Sequence, residues 1–169
     1  MKLTLEQGRA VQLIVSECDE NGIEDARQVA YILGTAYHEC RFKSIKEIRA
    51  KPGTRVWQMQ NVYWNSGYYG RGFCQLTWRK NYQKFSPIVG IDLVKNPDEV
   101  LQPDIGAKIL VIGMRDGLFS GVGLGKYFPP PPAEPNWLSA RKIVNGTFQA
   151  DHVAVAAKKI FSLLVAGQA

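Results

Sequence analysis

The sequence predicts a mainly α, single-domain protein with one small β or irregular segment. Three observations carry that prediction. Apolar residues recur at helical spacing near both ends of the chain, cap-forming residues precede those runs, and Gly and Pro punctuation cuts the chain into helix-sized pieces. With 169 residues, 46% of them hydrophobic, and a mean hydropathy of -0.17, the chain is long enough for one good core and too short for two, so residues 1–169 are read as one domain.

In chain order, Thr4-Leu5-Glu6-Gln7 has the capping-box form, in which the Thr and Gln side chains satisfy backbone N–H groups left free at a helix start. Ala10, Leu13, Ile14 and Cys18 follow at helical spacing, and Asn21-Gly22 marks the end. Asp25 caps a second helix whose buried stripe is Val29, Ile32, Leu33, Ala36 and Cys40. Beyond Cys40 the stripe fades. Phe42, Ile45 and Ile48 alternate with charged residues until Lys51-Pro52-Gly53 turns the chain. Thr77 or a neighbour caps a helix toward Phe85 that ends before Pro87 or at Gly90. Pro97 opens a short helix, and Pro103 opens a longer one through Ile105, Ile109 and Ile112 to a stop at Gly117. From Gly121 to Pro135 the chain is a surface connection, locally polyproline-like over Pro129–Pro132, with a proline-reading partner as a lesser alternative. Asn136 caps a helix over Trp137, Leu138, Ala140 and Val144 to Asn145-Gly146, and Asp151 starts a terminal helix with Val153, Ala157, Ile160 and Leu164 inward.

Composition narrows the function classes. No run of about 18 apolar residues occurs, and Met1–Gln7 lacks the charged-then-apolar order of a secretory signal, so a soluble protein made in the cytoplasm, with no integral membrane segment, is expected. Cys18, Cys40 and Cys74 are odd in number and widely spaced, which fits reduced structural thiols better than a disulfide framework, and with only His38 and His152 to add, neither a metal site nor a cofactor is expected. Charge is unevenly placed. Between Arg41 and Lys84 ten basic residues face Glu47 alone, while the rest of the chain is slightly acidic. Such a field favours nucleic acid, a membrane surface or a carboxylate-bearing wall polymer, and it also fits a merely solvated face. No nucleic-acid reading motif accompanies it.

The stretch Tyr68-Tyr69-Gly70-Arg71-Gly72-Phe73-Cys74-Gln75-Leu76-Thr77-Trp78 combines backbone freedom at two glycines with apolar anchors. If extended, it points Gln75 and Thr77 to one face and Cys74, Leu76 and Trp78 to the other, a polar shelf on an apolar back. A half-buried strand entering a helix fits equally well. Two carboxyls complete the chemistry. Glu39 shares a flank of the second helix with core-directed residues near the helix C-terminus, where desolvation and the helix dipole disfavour the anion, while Arg41 and Arg71 push the other way. Glu47 stands eight residues on in an irregular basic segment beside Lys46 and Arg49, where it stays ionised. One protonated acid and one ionised base are what glycoside hydrolysis requires, though most glutamate pairs are surface residues.

Read together, Thr35-Ala36-Tyr37-His38-Glu39, Ile45-Lys46-Glu47-Ile48 and Tyr68–Tyr82 resemble the family 19 glycoside hydrolases with their lysozyme-like, chitinase-like fold, most closely the small phage endolysins of that superfamily. Asn96-Pro97-Asp98, Gly113–Gly121 and Ala140–Gly146 resemble later segments of the same proteins in the same order, so the likeness runs from about Val29 onward. The resemblance implies Glu39 as general acid, Glu47 as the base that activates water, and Thr77 as the hydroxyl that holds it. It further implies that Gln75, Asn81 and Asn145 bind sugar amides and hydroxyls and that Tyr69 and Arg71 line the cleft. It implies inversion, a monomer acting on peptidoglycan glycan strands, chitin oligosaccharides as a secondary substrate, and release to the periplasmic wall through a holin. Plant-type chitinases carry a longer loop between their two acids, so the short spacing favours the endolysin branch. A true chitinase and a non-catalytic peptidoglycan- or chitin-binding module are the alternatives.

Overall fold

Helix α2 (Ala26–Cys40) is the axis of the fold, and the computed structural model describes residues 2–167 around it. Its N-terminus is fixed by Asp25, whose carboxylate accepts the Arg27 backbone N–H at 2.9 Å. Nine of its residues are buried, including the whole expected stripe. A helix apolar on so much of its circumference needs cover on several sides. That cover comes from α6 (Ala150–Ala166), which lies along α2, with α1 (Leu5–Glu20) and α5 (Pro103–Arg115) packed on each other and both touching α2. Gly34 sets the closest approach: a Cβ there would stand 2.8 Å from the Ala157 Cβ, so only glycine lets α2 and α6 pack this tightly.

The capping box forms at the start of α1, with Gln7 N–H donating to Thr4 Oγ1 at 3.3 Å and Thr4 N–H to Gln7 Oε1 at 2.9 Å. Ala10, Ile14 and Cys18 are buried, and the helix stops at Asn21. The short helix α3 (Arg55–Gln60), absent from the sequence expectation, follows the Pro52-Gly53 turn and is capped by Thr54, whose hydroxyl accepts the Trp57 N–H at 3.2 Å. Helix α4 (Arg79–Val89) continues through Pro87 to a left-handed cap at Gly90. Proline so near a C-terminus removes one ladder bond, and the buried Tyr82 and Phe85 hold the helix in place. A 3₁₀ turn over Pro97–Leu101 precedes α5, with Pro97 and Pro103 each at a helix start.

Two expectations change in the C-terminal third. The 121–135 connection is not all surface: Leu124, Tyr127 and Phe128 are buried, and Phe128 packs at 5.2 Å between the rings of Tyr31 and Trp137. Its aromatic anchors outweigh the punctuation around them. Arg27 then ties the proline run to α2 by donating to the carbonyls of Pro129 and Ala133. The segment after Asn136 is a 3₁₀ helix, Ser139–Ile143, in place of an α-helix, started by Asn136 Oδ1 accepting the Ser139 N–H at 3.0 Å. Cys18, Cys40 and Cys74 are all free and buried. No helix of the described residues is long and apolar enough to cross a membrane.

Candidate active site

The glycine-flanked arginine sits at the centre of a small β-like junction. Arg71 bridges antiparallel to Lys46 on one side and to Leu76 on the other, through Glu47 N–H to Gly70 O at 2.8 Å, Gly72 N–H to Ile45 O at 3.1 Å and Leu76 N–H to Arg71 O at 2.8 Å. Each glycine is needed for its own reason. Gly72 has a φ of +73°, and a Cβ on it would meet the Val100 carbonyl at 2.9 Å; a Cβ on Gly70 would meet Gln75 Oε1 at 2.8 Å and the Glu47 Cβ at 3.3 Å. The run is not continuously extended. Gln75 and Trp78 both take positive φ, so Cys74 and Leu76 are buried as expected while Trp78 turns outward and is 42% exposed.

Outside this junction opens a cavity of about 430 Å³, lined by Glu39 of α2 with Val144 and Asn145, and by Glu47, Tyr63, Gln75, Thr77, Trp78 and Asn81 of the segment between α2 and α4, with Cys74, Leu76 and Phe119 completing it. Six of the eight residues expected at the site therefore face one space. Burial pushes the Cys74 thiol well above its ordinary range, so it stays protonated and inert. Thr77 Oγ1 donates to Gln75 O at 2.9 Å and Asn81 Nδ2 to Thr77 O at 2.7 Å, which leaves the Thr77 oxygen and Asn81 Oδ1 free to accept. Both Nε2 hydrogens of Gln75 go to the carbonyls of Ile45 and Gly72, each at 3.1 Å.

Glu39 stands on the last turn of α2 with its side chain 18% exposed, and Arg141 Nη1 donates to its Oε1 at 2.6 Å. Arg141 is the cation that meets it. Arg41 caps the helix with its guanidinium over the Tyr37 ring, and Arg71 points away, so neither expected neighbour serves. The Arg141 side chain is 2% exposed and its Nε donates to Phe148 O at 3.1 Å. Nothing in the local sequence of Lys142, Ile143 and Val144 marks it, because the pairing joins residues 102 apart in the chain.

Glu47 is held differently. Its Oε1 accepts from Tyr63 OH at 2.7 Å and from Gln60 Nε2 at 2.9 Å, and its Oε2 accepts the Gly70 N–H at 3.0 Å. The cations expected beside it are engaged elsewhere. Lys46 pairs with Asp98 at 2.7 Å, and Arg49 reaches Gln60 and Asn61 while lying over the rings of Trp57 and Trp64. Gln60 and Tyr63 were not found by sequence reasoning. The one available signal was Thr54 behind a Pro-Gly turn, a helix start that puts Gln60 on the last residue of α3.

Tyr69 and Arg71 do not line this cavity. They face a separate depression with Lys95, Asn96, Pro97 and Asp98. The Arg71 side chain is 3% exposed and acts as a strut: Nε donates to Asp98 at 2.8 Å, and Nη1 to Gly67 O, Tyr69 O and Tyr82 OH. A guanidinium with so many donors in a fixed fork crosslinks backbone better than it reaches out to solvent. Tyr69 stacks on Trp64 at 4.5 Å.

The sequence of residues 16–110 matches the class I chitinase family of glycoside hydrolases, family 19. The chain belongs to this family. The matched span contains Glu39, Glu47 and the whole Gly70–Asn81 junction, whereas Arg141 and Asn145 lie beyond it. Over 74 residues the chain is 34% identical to the acidic 27 kDa endochitinase of Solanum lycopersicum, 44% of this chain and 30% of that protein. Over 112 residues it is 29% identical to chitinase 6 of Oryza sativa subsp. japonica, 60% of this chain and 41% of that one. It thus spans less than half the length of these relatives.

Proposed function

We propose that this family 19 protein hydrolyses the glycan strands of bacterial peptidoglycan by inversion, with Glu39 as general acid and Glu47 as general base. The observation carrying the reading is that the two carboxylates line one cavity together with Thr77, Gln75, Asn81 and Asn145. Arg141 occupies Oε1 of Glu39, so Oε2 is the atom that presents a proton to the glycosidic oxygen. A water on the far side of the sugar gives one proton to Glu47 and donates its other hydrogen to the Thr77 oxygen. Its lone pair then attacks the anomeric carbon as the leaving oxygen takes the proton of Glu39. Inversion needs a carboxylate separation of roughly 6.5–9.5 Å to admit that water. The free acceptor of Asn81, Asn145 and the exposed Trp78 ring suit an N-acetylated sugar with polar edges and an apolar face.

The basic residues between 41 and 84 favour an anionic polymer over a neutral one, and the likeness to phage endolysins points the same way. In this reading the protein acts as a monomer on the periplasmic wall after release by a holin. Chitin hydrolysis is the second reading, favoured by the two relatives, both named as chitinases. Release of reducing ends from purified peptidoglycan and from an N-acetylglucosamine hexamer, with products read by mass spectrometry, separates the two. Glu39→Gln is expected to lower the preferred activity by about 100-fold or more while binding to insoluble wall persists. Full activity in that variant would sink the assignment, and binding without any release of reducing ends by the wild type would identify a non-catalytic module.

A further inference from the structure

Both oxygens of Glu47 are held by groups that carry no charge, and two of the three holders come from the α3 lobe. We infer that Gln60 and Tyr63 are positioning residues that occupy Oε1 of Glu47 and so reserve Oε2 for the attacking water. The inference rests on the hydrolase reading of the same cavity.

A carboxylate oxygen has two lone-pair directions. Oε1 fills both, with Tyr63 OH at 2.7 Å and Gln60 Nε2 at 2.9 Å, whereas among the described residues Oε2 has only the Gly70 N–H at 3.0 Å and keeps one direction open. The clamp has one possible orientation. Gln60 is 2% exposed, its second Nε2 hydrogen donates to Ile48 O at 2.9 Å, and its Oε1 accepts the Ala50 N–H at 2.8 Å, with Arg49 Nη1 further off at 3.4 Å. Turning the amide over would set donor against donor at Ala50 and acceptor against acceptor at Ile48 and Glu47. Tyr63 is fixed by its edge contact with Trp78 at 5.2 Å. Burial, and then the bond to the Glu47 carboxylate, push its phenol well above the ordinary tyrosine range, so it remains a donor.

The lobe itself is stiffened by Arg49 over Trp57 and Trp64 and by Trp64 stacked on Tyr69. Arg49, turned to Gln60 and Asn61, is the cation nearest the clamp, since Lys46 is engaged by Asp98. Neutral donors fix the direction of the carboxylate without supplying a counter-charge. The basis for this role lies in the lobe between the catalytic segment and the glycine junction, where a six-residue helix delivers one side chain and the turn after it delivers the other.

Tyr63→Phe removes the hydroxyl alone. With the better of peptidoglycan or N-acetylglucosamine hexamer as substrate, kcat is expected to fall about 10- to 100-fold, the loss of a hydrogen bond to a charged group. KM should change less than twofold, because the phenol holds the carboxylate and not the sugar. A loss carried by KM alone, or a full kcat, overturns the clamp and makes Tyr63 a sugar contact or a bystander. If Glu47→Gln retains wild-type kcat, or the wild type releases no reducing ends, the hydrolase reading itself falls and the clamp falls with it.

Discussion

Glu39 and Glu47 face the same cavity and are held by opposite chemistries. Glu39 rides on a 15-residue helix and is pinned by one buried guanidinium from the far end of the chain. Glu47 sits on an irregular segment and is pinned by two side chains and a backbone N–H, none of them charged. A carboxylate on a packed helix already has its place and needs only a partner, so one strong contact suffices. One on an irregular segment has no such frame. Its direction must come from several bonds at once, and these also assemble the lobe and junction around it. The two walls should therefore respond differently to damage.

The sharpest way to break this contrast is to remove the cation. Arg141→Met leaves the part-buried Glu39 carboxylate and the Phe148 carbonyl without their donor, and should cost about 2–4 kcal/mol of stability, discounted from the full penalty for breaking a buried pair because Glu39 is 18% exposed. Adding Glu39→Gln to it should recover part of the loss, since the orphaned charge goes. Denaturant unfolding of the two singles and the double closes the cycle. Additive losses would mean that Arg141 works through Phe148 and not through Glu39.

The same contrast explains what was readable from residues alone. Helices α1 and α2 announce themselves by caps and stripes, α5 by its opening proline and its stripe, and α6 by its stripe alone, since Asp151 lies inside its first turn and Gln149 stands at its start without a side-chain cap. Glu39 inherited that legibility from α2. Arg41, Lys46 and Arg49 misled because nearness in sequence suggested charge partners, and Arg71 misled without that nearness; long side chains go where a fork of acceptors is available: Arg71 to Gly67, Tyr69, Tyr82 and Asp98, Lys46 to Asp98. Arg141, Gln60 and Tyr63 escaped for the complementary reason. Their partners lie 102, 13 and 16 residues away, and no periodicity marks such a pairing.

On the Glu47 wall the contrast is tested through the backbone. Gly70→Ala keeps every polar group, yet its Cβ would lie 2.8 Å from Gln75 Oε1 and 3.3 Å from the Glu47 Cβ. A fit of that kind costs about 1–3 kcal/mol in strain and shifts. Because the Gly70 N–H is itself a donor to Glu47, activity should fall further than stability predicts, with kcat reduced at temperatures where the variant is fully folded. Thermal unfolding and single-temperature kinetics on the same preparation make the comparison. A variant as active as the wild type would show that the junction tolerates movement behind Glu47.

The smallest expected effect concerns Asp98, which joins Lys46 and Arg71 at the back of the junction. Its hydrogen bond to Lys46 is the main influence holding its carboxyl below the usual aspartate range; burial opposes it, and Arg71 adds to the lowering. A depressed folded-state value means that the stabilisation is fully present above the unfolded value, near pH 4, and is lost as pH falls through the folded one. Asp98→Asn should thus lower stability slightly at pH 7 and flatten its decline below pH 4. The Asp98 side chain is 58% exposed, so solvent screening keeps the change small. The Glu39 side of the cavity, which has no contact with Asp98, should keep its response to Arg141→Met unchanged in this background. Non-additivity between the two variants would join walls that the geometry holds by separate means.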